Sequence, residues 1–240
     1  MVAILFEKKD HIARITLNRP EVDNRINLQF TQEMEEICDA VNQDDDIYVV
    51  LITGAGEKFC YGSEIRSNAA ASVAGIEKPV VAAINGDAIG DGLEIALSCD
   101  IRIAADTAKF GLPQLESGAI PADGGTQRLP RLIGKGKALE LMLTAAIITA
   151  AEALDIGLVS KVVPVNELAA EAEGLVQGIA TKAPISLRYV KEAVNKGMDM
   201  TMDQGLRLEA DLYLLLHTTA DRTEGITAFL EKRTPEFKGE

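Results

Sequence analysis

Apolar residues fall in short, nearly unbroken blocks through the first hundred positions and recur at helical spacing through the last hundred. Residues 2–6 and 12–17 are β-rich runs separated by the polar stretch 7–10, a pattern that predicts a hairpin. The second run is broken by Asn18, Arg19 and Pro20. Residues 27–42 place Leu28, Phe30, Met34, Ile37, Cys38 and Val41 on one helical stripe. Residues 48–53, bounded by Gly54 and Gly56, and residues 80–84, ended by Asn85-Gly86, read as fully buried strands. A helix over 92–98 and a strand over 101–105 follow. Helical patterns then occupy 126–133, 137–143, 167–181, 185–196 and 202–217, with one last strand at 159–163. Two capping boxes, Thr149 with Glu152 and Thr201 with Gln204, mark further helix starts. The alanine-rich stretch 68–75 reads as a loop or short helix, and no internal repeat is visible. Alternating strands and helices giving way to helices alone predict an α/β core with a helical tail.

Length and charge narrow the possibilities. A chain of 240 residues, 47 % of them hydrophobic, builds one large domain or one with a small appendage. No apolar run reaches membrane-spanning length and the first ten residues do not resemble a signal peptide, so a cytoplasmic protein is expected, with no membrane partner. The net charge of −13 repels nucleic acid and anionic surfaces. Any polyanionic ligand then needs a local basic spot. Cys38, Cys60 and Cys99 have no metal-ligand spacing and read as reduced, buried thiols; no metal site is expected.

Three segments carry candidate chemistry: residues 58–65 (KFCYGSEI), 85–94 (NGDAIGDGLE) and 110–129 (FGLPQLESGAIPADGGTQRL). The second is a glycine-rich turn opening a helix. It leaves backbone N–H groups pointing outward at the positive end of the helix dipole, which suits a developing oxyanion and equally a phosphate. Taken alone it fits a tight turn equally well.

Together the three segments resemble the crotonase (enoyl-CoA hydratase/isomerase) superfamily, and the resemblance extends from the LNRPE run at 17–21 to the FLEKR run at 229–233. It implies an α/β fold, a spiral of ββα units, with a crotonase-like core over 1–180 and a C-terminal helical region over 181–240 that builds trimers or dimers of trimers. It also implies an acyl-CoA substrate, with coenzyme A as part of that substrate and no prosthetic group. In that family an oxyanion hole is made by two backbone N–H groups, which map to Ser63 and Asp91. The family usually has three glycines where this chain has Gly90-Asp91-Gly92. An acidic side chain beside an oxyanion is unfavourable, so Asp91 has to point away, be protonated or do something unusual.

The same resemblance maps the first catalytic glutamate to Glu94 and the second to Gln114, whose amide cannot exchange protons at neutral pH. Asp123 stands where some relatives, among them dienoyl-CoA isomerases, place a working aspartate, and the glutamine-plus-aspartate pairing is similar to cyclic dienoyl-CoA hydratases. Simple structural readings are helix-dipole pairing for Glu94 and an N-cap of the helix near Gly124 for Asp123. Glu116 is expected to face solvent. Arg25, Lys58 and Lys232 are candidates for the coenzyme A phosphates, each of them equally a solvated surface charge. His11 and His217 have no partner motif. The stretch 68–75 is much shorter than the cover that relatives carry over the acyl pocket. The leading expectation is a lyase that adds water to an enoyl-CoA, including a conjugated or cyclic dienoyl-CoA. Isomerisation, thioester hydrolysis and non-catalytic acyl-CoA binding are the alternatives.

Overall fold

The computed structural model describes residues 2–240. Its N-terminal hairpin is tighter than the pattern implied. Strands β1 (Ile4–Lys9) and β2 (Ile12–Leu17) pair with Lys9 opposite Ile12, leaving only Asp10 and His11 in the turn. Both take positive φ (53° and 63°), as the two-residue turn matching strand twist requires. Helix α1 (Leu28–Gln43) begins where expected, with the Asn27 side chain accepting the Phe30 N–H at 2.9 Å. Asn27→Ala is expected to lower stability by about 1 kcal/mol, read as a shift of the urea midpoint at unchanged slope.

Three successive units then repeat one course. A buried strand leads through a short turn to a strand of two or three residues and on towards a helix. They are β3 (Val49–Gly54), β4 (Cys60–Tyr61) and α2 (Ala69–Ala74); β5 (Val80–Ile84), β6 (Ala88–Ile89) and α3 (Asp91–Ser98); and β7 (Ile101–Ala105), β8 (Lys109–Gly111) and α4 (Gly125–Ile133). Helix α5 (Lys135–Leu143), strand β9 (Ile148–Thr149), helix α6 (Ala150–Asp155) and strand β10 (Lys161–Val163) follow. The long strands form one six-stranded sheet in the order β1-β2-β3-β5-β7-β10, parallel except for the first pair. The short ones form a second sheet, β4-β6-β8-β9, whose first three strands are parallel.

Both faces of the large sheet are buried, which explains its unbroken apolar runs. Val50, Ile52, Ala82 and Ala104 face the main core with Phe30 and Met34 of α1. Val49, Leu51, Val81 and Ala83 point the other way, onto Leu168, Ala172 and Val176 of helix α7 (Leu168–Ala180), the i, i+4, i+8 stripe of that helix. Buried Arg102 donates to the Ala96 and Cys99 carbonyls at the C-terminal end of α3 and to Leu158 O at 2.9 Å. It satisfies otherwise orphaned carbonyls and fixes the helix that carries Glu94.

The tail comprises α8 (Pro184–Gly197), α9 (Met202–Leu216) and α10 (Ala220–Glu231). Both expected capping boxes form. Helix α10 was not expected, because its apolar residues follow no helical stripe; its start is set by Thr219, whose hydroxyl accepts the Arg222 N–H. Lys191 ties α8 to the sheet through Asp100 at 2.8 Å. Among the described residues no helix is long and apolar enough to cross a membrane. All three cysteines are free and buried, and burial pushes the Cys38 and Cys99 thiols up to about 12.

Candidate active site

The second sheet positions the site. Cys60, Ala88 and Phe110 are cross-strand neighbours, and so are Tyr61, Ile89 and Gly111. The three candidate segments therefore leave the same edge side by side, about 4.8 Å apart, at the carboxyl ends of parallel strands. Together they wall a cavity of about 470 Å³ lined by Ser63, Asp91, Gln114 and Asp123 among polar groups and by Tyr61, Ile65, Ile89 and Ile120 among apolar ones.

Ser63 is held by an isolated parallel bridge to Ile26. Ile26 N–H donates to Gly62 O at 3.0 Å and Glu64 N–H donates to Ile26 O at 2.8 Å. The groups on either side of Ser63 face Ile26, so its own N–H points the opposite way. That loop is clamped by Asn24, fully buried at φ 55°, whose side chain accepts the Arg19 N–H and donates to Ala55 O and Lys58 O. Sequence reasoning missed Asn24. Its only signal was an asparagine, tolerant of positive φ, directly after Asp23 and between two of the matching segments.

The Gly90-Asp91-Gly92 turn explains its own composition. Gly90 takes φ 59°, where a side chain is strained, and a Cβ there would lie 3.6 Å from both Gly62 Cα and Gln114 Nε2. A Cβ at Gly92 would overlap the Cys60 carbonyl oxygen and approach the Cys60 Cβ to 2.8 Å. The middle residue is under neither constraint, so an aspartate is accommodated. As the first residue of α3, Asp91 has an N–H without an intrahelical acceptor.

Glu94, one turn along α3, is fully buried and lies just behind the cavity wall. Its Oε1 accepts the Asp123 N–H at 2.8 Å and the Gly125 N–H at 2.7 Å, while Oε2 has no partner. Burial raises its pKa above the ordinary carboxylate value; the two N–H donors oppose that shift, and the charges of Asp91 and Asp123 add to it. Gln114 follows β8 in a 3-10 turn, and neither its amide nitrogen nor its amide oxygen has a partner. Among the described residues, the buried side-chain N and O atoms without a partner all belong to Glu94 and Gln114. Such atoms are costly in a native interior unless a water or a ligand completes them.

The expectation that Asp123 caps the helix beginning near Gly124 is corrected. Gly124, at φ 107°, is the residue before α4 and turns the chain so that Asp123 faces elsewhere. Its carboxylate accepts the Ala70 N–H at 2.7 Å and the Ala71 N–H at 3.1 Å, capping α2 in the alanine-rich stretch. Burial raises the Asp123 pKa, against the pull of these two donors. Glu116 is exposed. Of the three cations, Arg25 lines the cavity, 5.8 Å from the Tyr61 ring. Lys58 is paired with Asp87 at 2.7 Å, and Lys232, at the end of α10, lies outside the cavity wall. Arg66, which the sequence did not single out, lines the cavity as well.

The profile of the enoyl-CoA hydratase/isomerase family matches residues 7–240. The crotonyl-CoA hydratase of Syntrophomonas wolfei is 42% identical, over 98% of this chain and 97% of its own. The (E)-benzylidenesuccinyl-CoA hydratase of Thauera aromatica is 41% identical, over 98% and 99%. The crystal structure of an enoyl-CoA hydratase from Bacillus anthracis superposes with a TM-score of 0.94 at 40% identity, covering 99% of this chain and 100% of that one. With two N–H-bearing turns, a buried glutamate and an acyl-sized cavity set on this spiral of ββα units, the chain belongs to the enoyl-CoA hydratase/isomerase family of enzymes.

Proposed function

We propose that the protein adds water across the α,β-double bond of an enoyl-CoA thioester. The observation that carries this reading is that Glu94 Oε2 and the Gln114 amide are both buried without a partner, on segments that leave the same edge of the small sheet as Ser63 and Asp91. The thioester oxygen lies between those two N–H groups, which stabilise it as negative charge develops. Glu94, whose buried Oε2 has no partner, is the main acid/base group and exchanges a proton with the attacking water. Gln114 accepts from and donates to the attacking water but takes no proton. Asp123 holds the Glu94 carboxylate through its backbone N–H and fixes α2 through its own carboxylate. Ile65, Ile89 and Ile120 receive the acyl group. Arg25 and Arg66 are the cavity's cations and meet the coenzyme A phosphates.

The short cover over the site makes ring-containing acyl groups candidates alongside linear ones. Incubation with crotonyl-CoA, a 3-enoyl-CoA and a cyclic dienoyl-CoA in 18O-water, followed by mass spectrometry, tests the reading. One labelled water gained by the product is expected; a rearranged product of unchanged mass makes the protein an isomerase, and no turnover refutes water addition. The large apolar side chains exposed on α9 and α10, Leu214, Phe229 and Leu230 among them, favour assembly as a trimer or a dimer of trimers. Light scattering that returns a monomer at micromolar concentration refutes assembly.

A further inference from the structure

Glu94 is held from outside its own helix. Its Oε1 accepts the N–H groups of Asp123 and Gly125, which lie on either side of Gly124 in the turn leading into α4. Whatever fixes that turn therefore aims the carboxylate. No side chain of the residue before α4 caps the helix, and Arg128, one turn along it, reaches back instead. Its Nη1 donates to the Asp123 carbonyl at 2.8 Å, and its backbone N–H donates to the Gly124 carbonyl at 2.8 Å. The guanidinium lies so close to Gly124 that a Cβ there would sit 2.0 Å from Nη1 and 2.8 Å from Cζ. Arg128 is half-buried and makes no ion pair among the described residues. Burying a cation has a desolvation cost that one carbonyl only partly offsets, so stability alone does not account for it.

Resting on the hydratase reading above, we propose that Arg128 is a positioning residue for Glu94, acting through the turn at 123–125. The Asp123 carbonyl belongs to the planar peptide that lies between the two donor peptides, so fixing it sets the direction of both N–H groups. They converge on Oε1 and leave Oε2 as the free oxygen of the carboxylate. The Asp123 carboxylate anchors the same turn on its other side, to the Ala70 and Ala71 N–H groups of α2. Arg128 holds the main chain of Asp123 and α2 holds its side chain. The turn is thus pinned between α2 and α4 while α3 presents Glu94 to it.

Contact and charge predict different things for Arg128. Arg131 is a second cation on the same helix, but it is exposed and donates to Gln127 instead. Of the four elements packed most closely on α3, α2 and β6 carry no titratable side chain, β4 brings Cys60 and Tyr61, and α4 brings Arg128 and Arg131. The charges that act on Glu94 are those of Asp91 and Asp123, and no substitution of Arg128 removes either. Loosening the turn weakens the two N–H bonds that oppose the upward pull of burial on the Glu94 pKa. Losing the clamp should therefore raise that pKa and lower the rate together, because a misplaced carboxylate transfers its proton poorly.

The test compares wild type with Arg128→Met, Arg128→Lys and Arg131→Met, with circular dichroism checking each fold. It reads kcat and KM on the ester that wild type hydrates best. It also follows Glu94 in a 13C-carboxyl NMR titration, the signal being assigned by its absence in Glu94→Gln. Arg128→Met is expected to lose about 10- to 100-fold in kcat with KM changed little, and its Glu94 to titrate about half a pH unit or more above wild type. Arg128→Lys keeps the charge and a donor and is expected to fall between the two. Arg131→Met is expected to match wild type. A wild-type rate and titration in Arg128→Met, equal shifts in Arg128→Met and Arg131→Met, or a loss confined to KM or to thermal stability overturns the assignment while the hydratase reading stands. If Arg128→Met does not fold, an Arg128→Lys protein identical to wild type overturns it. A wild type inactive on every ester overturns the hydratase reading, and the titration alone then decides whether Arg128 positions Glu94.

Discussion

Glu94→Gln is expected to lower kcat for hydration by roughly 10²- to 10⁴-fold with little change in KM. The substitution is nearly isosteric, and the amide oxygen can take over the Asp123 and Gly125 N–H bonds now made by Oε1. The loss therefore falls on the proton transfer proposed for Oε2 and not on the architecture. Stability should move the other way. Because the folded-state pKa of Glu94 is raised above its ordinary value of 4.5, the folded protein binds this proton more tightly than the unfolded chain does. That contribution is fully present below about pH 4.5 and is lost as pH rises through the folded-state pKa. At neutral pH wild type holds a carboxyl group that burial disfavours once ionised, whereas the glutamine variant is neutral throughout. Urea denaturation at pH 7 should thus find Glu94→Gln at least as stable as wild type. Full activity in the variant would remove Glu94 from the chemistry, and a large loss of stability would show that its role is structural.

That trade-off places the cost of function at a few atoms, and the same atoms mark the limits of the sequence. The long strands were legible because burial on both faces of a parallel sheet leaves unbroken apolar runs, as in 80–84 and 101–105. Helix α1 was legible to within a residue because Asn27 announces its start. Strands β4, β6 and β8 were not, since two or three residues carry no period, and the repeat was open to resemblance alone: its three units share a backbone course but no side-chain pattern. Residues 63, 91, 94 and 114 could be singled out by resemblance, and the structure brings all four to one edge of the small sheet. The destination of the Asp123 carboxylate could not be read. It depends on a glycine at φ 107° turning the chain and on a helix that arrives from 52 and 53 positions earlier in sequence.

The glycines on either side of Asp91 give the other large effect. Gly92→Ala is expected to destabilise the protein by roughly 3 kcal/mol or more and to reduce hydration about 100-fold in whatever fraction stays folded. The added methyl would occupy the place of the Cys60 carbonyl oxygen, and both partners are backbone, so no rotamer change relieves the overlap. Either α3 shifts away from β4 or the β4 strand moves. Either movement separates the N–H of residue 91 from that of Ser63, which follows Cys60 by three residues on the same strand end. On the proposed reading these two donors converge on one oxygen and tolerate little separation, so stability and rate should fall together. Gly174→Ala is the contrasting case. It lies exposed within α7 with no atom within 4 Å of its added Cβ, and should gain about 0.5–1 kcal/mol through the unfolded state without touching the rate. Urea midpoints and kcat measured side by side decide the matter. If Gly92→Ala unfolds and turns over like wild type, close packing of α3 against Cys60 does not set the site's geometry, and the glycines on either side of Asp91 lose their structural explanation.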